Sequence, residues 1–500
     1  MKFSLTIWHK PSKRVEPLAI PPISDRPPLP NLPNEVWRRI IGFTIRLAGS
    51  LSIELDDPFA PPYQNEEYPE VDPGLFEDRK SLRQVCSSWR SVVTEISAEY
   101  LIVYSGNELK ALVKQLEAQH RNKTPGKRLG EWTSRIDLRI LGTYSVPHVV
   151  RLLRCTPNLL ICDIRNGPPH LPEKSTPIEV LQALTTCSQL RRLGWSGAGE
   201  TPRFQDLVQL CIGLPNLVTL RLATIFSFPV RSDGIPPLLV FPKLKTLSLA
   251  VIPDPTEFRP EYAMTWDPFM NYLSIQPRQL PLLERLECDI FPLLTLSFFH
   301  MHGHKLRSFR TTAWSADGIL TEALPLCPNL ESFVISQGSE PVDFPAFHPT
   351  LRKICIIPSV DTDVDVPQRV FEYAVMSPLD AVLKSIEQMG APHLIELRIR
   401  NIGAFGNILD YSTWLRFWWR RWNIRGIHFL DKSGVSFHEV YDRMFFPCFF
   451  SLWILSSNST SIISGRTNPR LCSWIIQLFI FFCNTLAQNP ININLYFKKI

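Results

Sequence analysis

The chain has 500 residues, 45% of them hydrophobic and 20% charged, with a formal net charge of +6. This length exceeds one compact domain unless the fold is a solenoid, the composition suits a globular chain, and so mild a charge gives no ground for nucleic-acid binding. Eleven cysteines and 45 prolines include no C-x-x-C pair, so a zinc or thioredoxin-like site lacks local support. They suit a chain of turns with reduced, structural cysteines such as Cys155, Cys187 and Cys327, in a cytoplasmic or nuclear setting.

Met1 to Lys10 carries too short an apolar run for a signal peptide. Residues 1–31, rich in proline with scattered Lys and Arg, read as a disordered lead-in, with Lys13-Arg14 a weak nuclear-localisation signal. Leu32-Pro33-Asn34-Glu35 then opens a helix whose apolar face is Val36, Ile40, Phe43 and Leu47. Residues 50–77 hold eight acidic residues, five prolines and no Lys or Arg, and read as a solvated loop. Neither Asp56-Asp57 nor Glu66-Glu67 has the ordered spacing of a calcium loop. A second helix is expected from Asp78, with Leu82, Val85, Cys86, Trp89, Val92, Val93 and Ile96 on its apolar side.

Leu32-Pro33-x-Glu35, Ile40-Ile41 and Leu82-x-x-Val85-Cys86-x-x-Trp89 together resemble the F-box, over residues 32–99 with the insertion at 50–77. The resemblance implies docking on the Skp adaptor of a cullin–RING ubiquitin ligase. It would assign Leu32, Pro33, Glu35, Val36, Ile40, Ile41, Leu82, Val85, Cys86 and Trp89 to adaptor-facing or core positions. The insertion departs from the family pattern and lengthens the connection between the helices. A helical cap on the following domain is the competing reading of the pair.

After a strand at residues 100–104, a helix capped by Asn107 carries Leu109, Leu112, Val113 and Leu116. A basic turn at 121–128 and a strand at 134–140 follow. From there one phrase recurs, Pro-x-Leu-x-x-Leu-x-Leu. Its clearest copies are Pro215 to Leu222 and Pro242 to Leu249, and looser ones begin at Leu159, Leu190, Leu283, Leu306, Leu330, Leu351, Leu394 and Ile424. Within it the alternating apolar positions share one face of a short strand. Helical patterns precede several copies, at 178–186, 204–212 and 379–389. The phrase resembles the leucine-rich repeat, in which each unit buries its apolar face only by stacking on its neighbours. The expected fold class is α/β, a short all-helical F-box followed over residues 100–431 by a leucine-rich-repeat solenoid with a curved parallel sheet. The longest steps should hold loops at 251–277 and 358–378, the second with Asp361, Asp363 and Asp365 in a solvated acidic turn.

Trp414, Phe417, Trp418, Trp419 and Trp422 interleave with Arg416, Arg420 and Arg421. Such alternation can bind single strands, but Trp414, Phe417, Trp418 and Arg421 at helical spacing also make a core face with a basic rim, the reading adopted here. Residues 432–500 form a hydrophobic tail, whose run from Leu471 to Cys483, broken by Gln477, is short of the roughly 20 residues needed to span a bilayer. A tail anchor and sequence foreign to the folded domain remain alternatives for it. His300, His302 and His304, with no nearby carboxylate, read as exposed rather than metal-binding. No phosphate-loop, hydrolase-elbow or zincin motif occurs.

The functional expectation is a non-enzymatic, cofactor-free adaptor that recruits a protein substrate to a Skp–cullin–F-box ligase. The alternative is a repeat scaffold outside any ligase; nucleic acid and membrane are not favoured. The positions flanking the second apolar residue of each phrase point away from the core and hold more basic than acidic residues. Arg192, Arg221, Arg285, Arg310, Lys353 and Arg398 are therefore the candidate contacts for an acidic or phosphorylated substrate segment.

Overall fold

The computed structural model describes residues 33–47, 49–55, 57–59, 73–121, 128–166, 174–197, 199–226, 238–249, 266–288, 296–312, 318–337, 342–358, 377–400, 411–431 and 434–436. The expected lead-in at 1–31, Leu32, the acidic turn with Asp361, Asp363 and Asp365, and the tail beyond 436 lie outside these residues.

Three helices come first: α1 (Asn34–Ile45), α2 (Pro73–Val85) and α3 (Ser87–Glu99). The strands follow as β1 (Tyr100–Val103), β2 (Arg135–Leu138), β3 (Ile161–Ile164), β4 (Lys174–Ser175), β5 (Arg192–Trp195), β6 (Glu200–Thr201) and β7 (Thr219–Leu222). Then come β8 (Thr246–Leu249), β9 (Arg285–Cys288), β10 (Ser308–Thr312), β11 (Ser332–Gln337), β12 (Lys353–Pro358), β13 (Glu396–Ile399) and β14 (His428–Leu430). Between them lie α4 (Gly106–Arg121), α5 (Leu129–Trp132), α6 (Val146–Cys155), α7 (Ile178–Thr185), α8 (Phe204–Gly213), α9 (Trp266–Leu273), α10 (Leu296–His302), α11 (Ile319–Ala323), α12 (Ser377–Gln388) and α13 (Tyr411–Ile424).

Apart from the short β4–β6 pair, the strands form one 12-stranded sheet in which each neighbour is the next strand along the chain. All of its pairings are parallel. Parallel neighbours need a crossover, which the intervening helices and loops supply. The result is a mixed α/β fold.

Register follows the repeat phrase. Cys162, Leu193, Leu220, Leu247, Leu286, Phe309, Phe333, Ile354 and Leu397 stand side by side across the sheet. These side chains and the apolar stripes of α4 and α6–α13 share a continuous core running from Val103 to Phe429. Three copies begin Pro-Asn-Leu, and their asparagines explain the phrase. Asn158, Asn216 and Asn329 each donate a side-chain N–H to a main-chain carbonyl one unit back, on Glu131 (2.8 Å), Ser188 (3.1 Å) and His304 (2.6 Å). Each bond satisfies a turn carbonyl and ties successive units together.

The structure corrects several expectations. The second helix starts at Pro73 and is broken at Cys86, whose extended backbone ends α2 and whose Sγ accepts the Trp89 N–H to start α3. Ser105, not Asn107, caps α4, its Oγ accepting the Glu108 N–H at 3.2 Å. The stretch 251–277 includes helix α9, because Trp266, Phe269, Met270 and Leu273 repeat at helical spacing and are buried. The last phrase copy is displaced by two residues: Phe429 rather than Ile427 pairs with Leu397, and Ile424 is the exposed end of α13. On α13 the buried face is Leu415, Trp418 and Trp422, whereas Phe417 and Arg421 face solvent. His302 is buried, its Nε2 2.8 Å from the Leu273 carbonyl, and burial lowers its pKa to about 4. It is a core hydrogen-bonding group.

Candidate functional site

The sheet has two unlike faces. Strand positions two and four point to the helices, and positions one and three to the other side. On that other side Arg135, Arg192, Arg221, Arg285, Arg310, Lys353 and Arg398 stand against Asp137, Asp163, Glu287 and Glu396. All six candidate substrate contacts therefore share one face, with a basic excess. Half of them are closed to solvent: Arg192, Arg221 and Arg398 are only 3%, 1% and 5% exposed, whereas Arg285, Arg310 and Lys353 are half-buried.

Part of the acidic insertion lies on this face. The Arg135 guanidinium donates to the Ser50 carbonyl (2.9 Å), and Arg192 to those of Ser52 (3.4 Å) and Glu54 (3.2 Å). Thr219 Oγ1 donates to the Ile53 carbonyl (3.0 Å), Arg285 to that of Leu55 (3.4 Å) and Arg398 to that of Pro58 (3.4 Å). Lys353 Nζ sits 5.6 Å from the centre of the Phe59 ring. The segment thus crosses the sheet from β2 to the β12–β13 end, and Ser50, Leu55 and Pro58 are buried in it. Residues 50–59 are not the solvated loop that their acidity implied. Main-chain carbonyls, which every residue carries, accept from Arg135, Arg192, Arg285 and Arg398.

Beneath the start of the segment lies a buried charge cluster. Arg135 and Asp137 pair at 2.7 Å, both fully buried. Arg139 and the Tyr100 hydroxyl bond the same carboxylate at 2.9 and 2.6 Å. Burial alone would raise the Asp137 pKa, but the Arg135 and Arg139 guanidiniums hold it below the usual carboxylate range. Asp163 is treated differently. Burial and the neighbouring Asp137 charge raise its pKa from 3.8 to about 6, against the Ser196 hydroxyl that donates to it at 2.7 Å. The folded chain therefore binds this proton more tightly than the unfolded chain. Asp163 should cost stability progressively as pH rises from 3.8 to about 6, and the cost should be constant above that window. Urea unfolding of Asp163→Asn against the parent should show this slope removed. In the middle of the sheet, burial would likewise raise Glu287, but Arg285, Arg310 and Arg221 hold it low.

The second candidate surface is the three-helix unit. Ile41, Ile45, Val93 and Ile96 form its small core, with Leu75, Leu82, Trp89 and Val92 packed against it. The Trp37 and Trp89 rings pack at a tilt, 4.9 Å between centres. Arg46 grips the Glu99 carboxylate with two nitrogens, at 2.8 and 2.9 Å, and Arg38 lies 4.2 Å over the Trp132 ring. Among the expected adaptor residues, Ile41 is buried and Leu82 and Trp89 are half-buried in this core. Pro33, Glu35, Val36, Ile40, Val85 and Cys86 are exposed. With Phe43, 85% exposed, Val36 and Ile40 make one apolar stripe at i, i+4 and i+7 of α1.

The sequence reading missed the segment 50–59 together with Arg135, Asp137 and Thr219 beneath it. Its signal was the alternation Leu51, Ile53, Leu55, an extended pattern inside an acidic stretch. Among the described residues, no helix is long and apolar enough to cross a membrane, and no group of three or more His, Cys, Asp or Glu is placed to hold a metal ion. No protein-family model matches the chain, and no curated protein is significantly similar to it.

Proposed function

We propose that this chain is the substrate-recruiting subunit of a Skp–cullin–F-box ubiquitin ligase, with α1–α3 as the F-box and the sheet region as a leucine-rich-repeat solenoid. The observation that carries this reading is the exposed apolar stripe Val36, Ile40 and Phe43 on α1, with Val85 exposed on α2. Large apolar side chains left open on a small, otherwise charged helical unit are the expected mark of a protein-binding surface. The chain's own contribution would be proximity, holding a substrate near the charged ubiquitin carrier, while its partners supply the chemistry.

Geometry supports the solenoid part. From β2 to β13 there are nine strand steps, about 43 Å across a flat sheet at roughly 4.8 Å per strand. The Ser50-to-Pro58 segment reaches at most about 28 Å fully extended, and it contains turns. Arginine side chains make up part of the difference, and a sheet curved toward this face, as a solenoid requires, would supply the rest.

Val36→Glu with Ile40→Glu tests the docking surface without touching the small core. Capture of a purified Skp adaptor should be lost, a change of more than about 2 kcal/mol for central apolar anchors, while the helical circular dichroism is kept. Undiminished capture would contradict the assignment. A second reading, a scaffold whose helices only cap the sheet, draws on the continuity of α3 with β1 and on the Ser134 N–H bonded to the Glu99 carbonyl at 2.9 Å. It predicts no adaptor binding at all.

A further inference from the structure

The segment 50–59 reaches its face through a distinctive chemistry. Six of its carbonyls, from Ser50 to Pro58, accept hydrogen bonds from side chains on five different strands. These bonds are to main-chain atoms, so they fix a path across the strands rather than one sequence. Selectivity falls to the buried Leu55 and Pro58, to Phe59 beneath Lys353, and to the acidic composition of the segment, set on a face with a basic excess. Four guanidiniums and one hydroxyl on one face, spread from β2 to β13, are a binding device for a chain segment laid across the strands.

We propose that this face is a groove for an acidic peptide segment of a partner protein laid across the strands, and that residues 50–59 occupy it in the same molecule until that segment displaces them. The inference rests on the adaptor reading only in calling the displacing partner a substrate. The in-chain segment keeps the Arg135, Arg192, Arg285 and Arg398 guanidiniums hydrogen-bonded while the groove has no partner, and covalent linkage gives it a high effective concentration. A partner segment must therefore bring better anchors at the Leu55 and Pro58 positions, or a second contact elsewhere on the chain. The contacting carbonyls come from a loop between α1 and α2, so release requires no change in the strands or helices.

Two measurements on the full chain test this. The first uses a fluorescein-labelled peptide of residues 49–59 and the variant Leu55→Asp with Pro58→Ser, which weakens the in-chain copy. The folded variant should bind the peptide at least tenfold more tightly than the parent, and a peptide of the same composition in reversed order should not bind. A folded variant with no gain over the parent overturns the proposal. The second needs no substitution. Cys355 is buried on the groove face, beside Arg398, whereas Cys162 and Cys288 are buried on the helix face. If the segment opens locally, Cys355 labels with a thiol reagent faster than both and at a rate insensitive to low urea. Equal rates for all three would show that the segment leaves only when the whole sheet unfolds, and would also overturn the proposal. Adaptor capture, read on the same preparations, reports on α1–α3 alone. Its failure would sink the ligase reading and leave the groove result standing.

Discussion

Arg135→Ala should destabilise the chain by about 3–5 kcal/mol, read as a lowered urea midpoint, because it leaves a buried carboxylate without its main partner. Arg135 and Asp137 are both fully excluded from water. The guanidinium also bonds the Ser50 carbonyl, so its loss unties the start of the segment on the groove face. Arg139 and Tyr100 still bond Asp137 in the variant, which places the effect toward the lower end of that range. Replacing both members of the pair with apolar residues of similar size, Arg135→Met with Asp137→Leu, should cost less than the single change. A single change that shifts stability by less than about 1 kcal/mol would mean that the pair is solvated, contrary to this structure.

Phe309→Ala should cost a similar amount, about 3–5 kcal/mol. Phe309 is fully buried, 5.3 Å from the Phe299 ring and 5.6 Å from that of Phe333, in an aromatic run that continues to Phe344. Its removal opens a cavity where three successive units meet. Phe417, on α13 and 47% exposed, is the control, and alanine there should cost less than about 1 kcal/mol. Equal losses at the two positions would place Phe417 in the core, as its helical spacing with Trp414 and Trp418 first implied.

Those two phenylalanines mark how far the sequence could be read. Positions that must be buried at a fixed period announce themselves: Leu220 and Leu222, or Leu247 and Leu249, could face only a core, and the strand order followed from their repetition. The period fails where another element imitates it. Ile424, Ile427 and Phe429 have the spacing of the phrase, but Ile424 finishes a helix, so the true strand starts later. The break at Cys86 was hidden because a thiol is an unusual cap, whereas Ser105, a common one, stands two residues before the chosen Asn107. The groove was the least legible part. Composition makes residues 50–59 look solvated, and their burial depends on carbonyls meeting arginines as far as 340 positions away. No local pattern encodes a contact of that range. The six basic residues named for a substrate are on one face as their alternation required, and that face is already engaged by the chain itself.

On the helical unit the sequence pattern named ten residues without separating those that hold the unit together from those that open outward. The structure separates the described ones: Ile41, Leu82 and Trp89 pack inward, while Val36, Ile40 and Val85 are exposed, joined by Phe43. The account therefore stands most directly on reconstitution. The purified full chain, mixed with purified Skp adaptor, should co-elute from a sizing column as a one-to-one complex, and the Val36→Glu, Ile40→Glu chain should elute apart from it. A folded parent chain that elutes apart from the adaptor at micromolar concentrations of both would contradict the ligase reading.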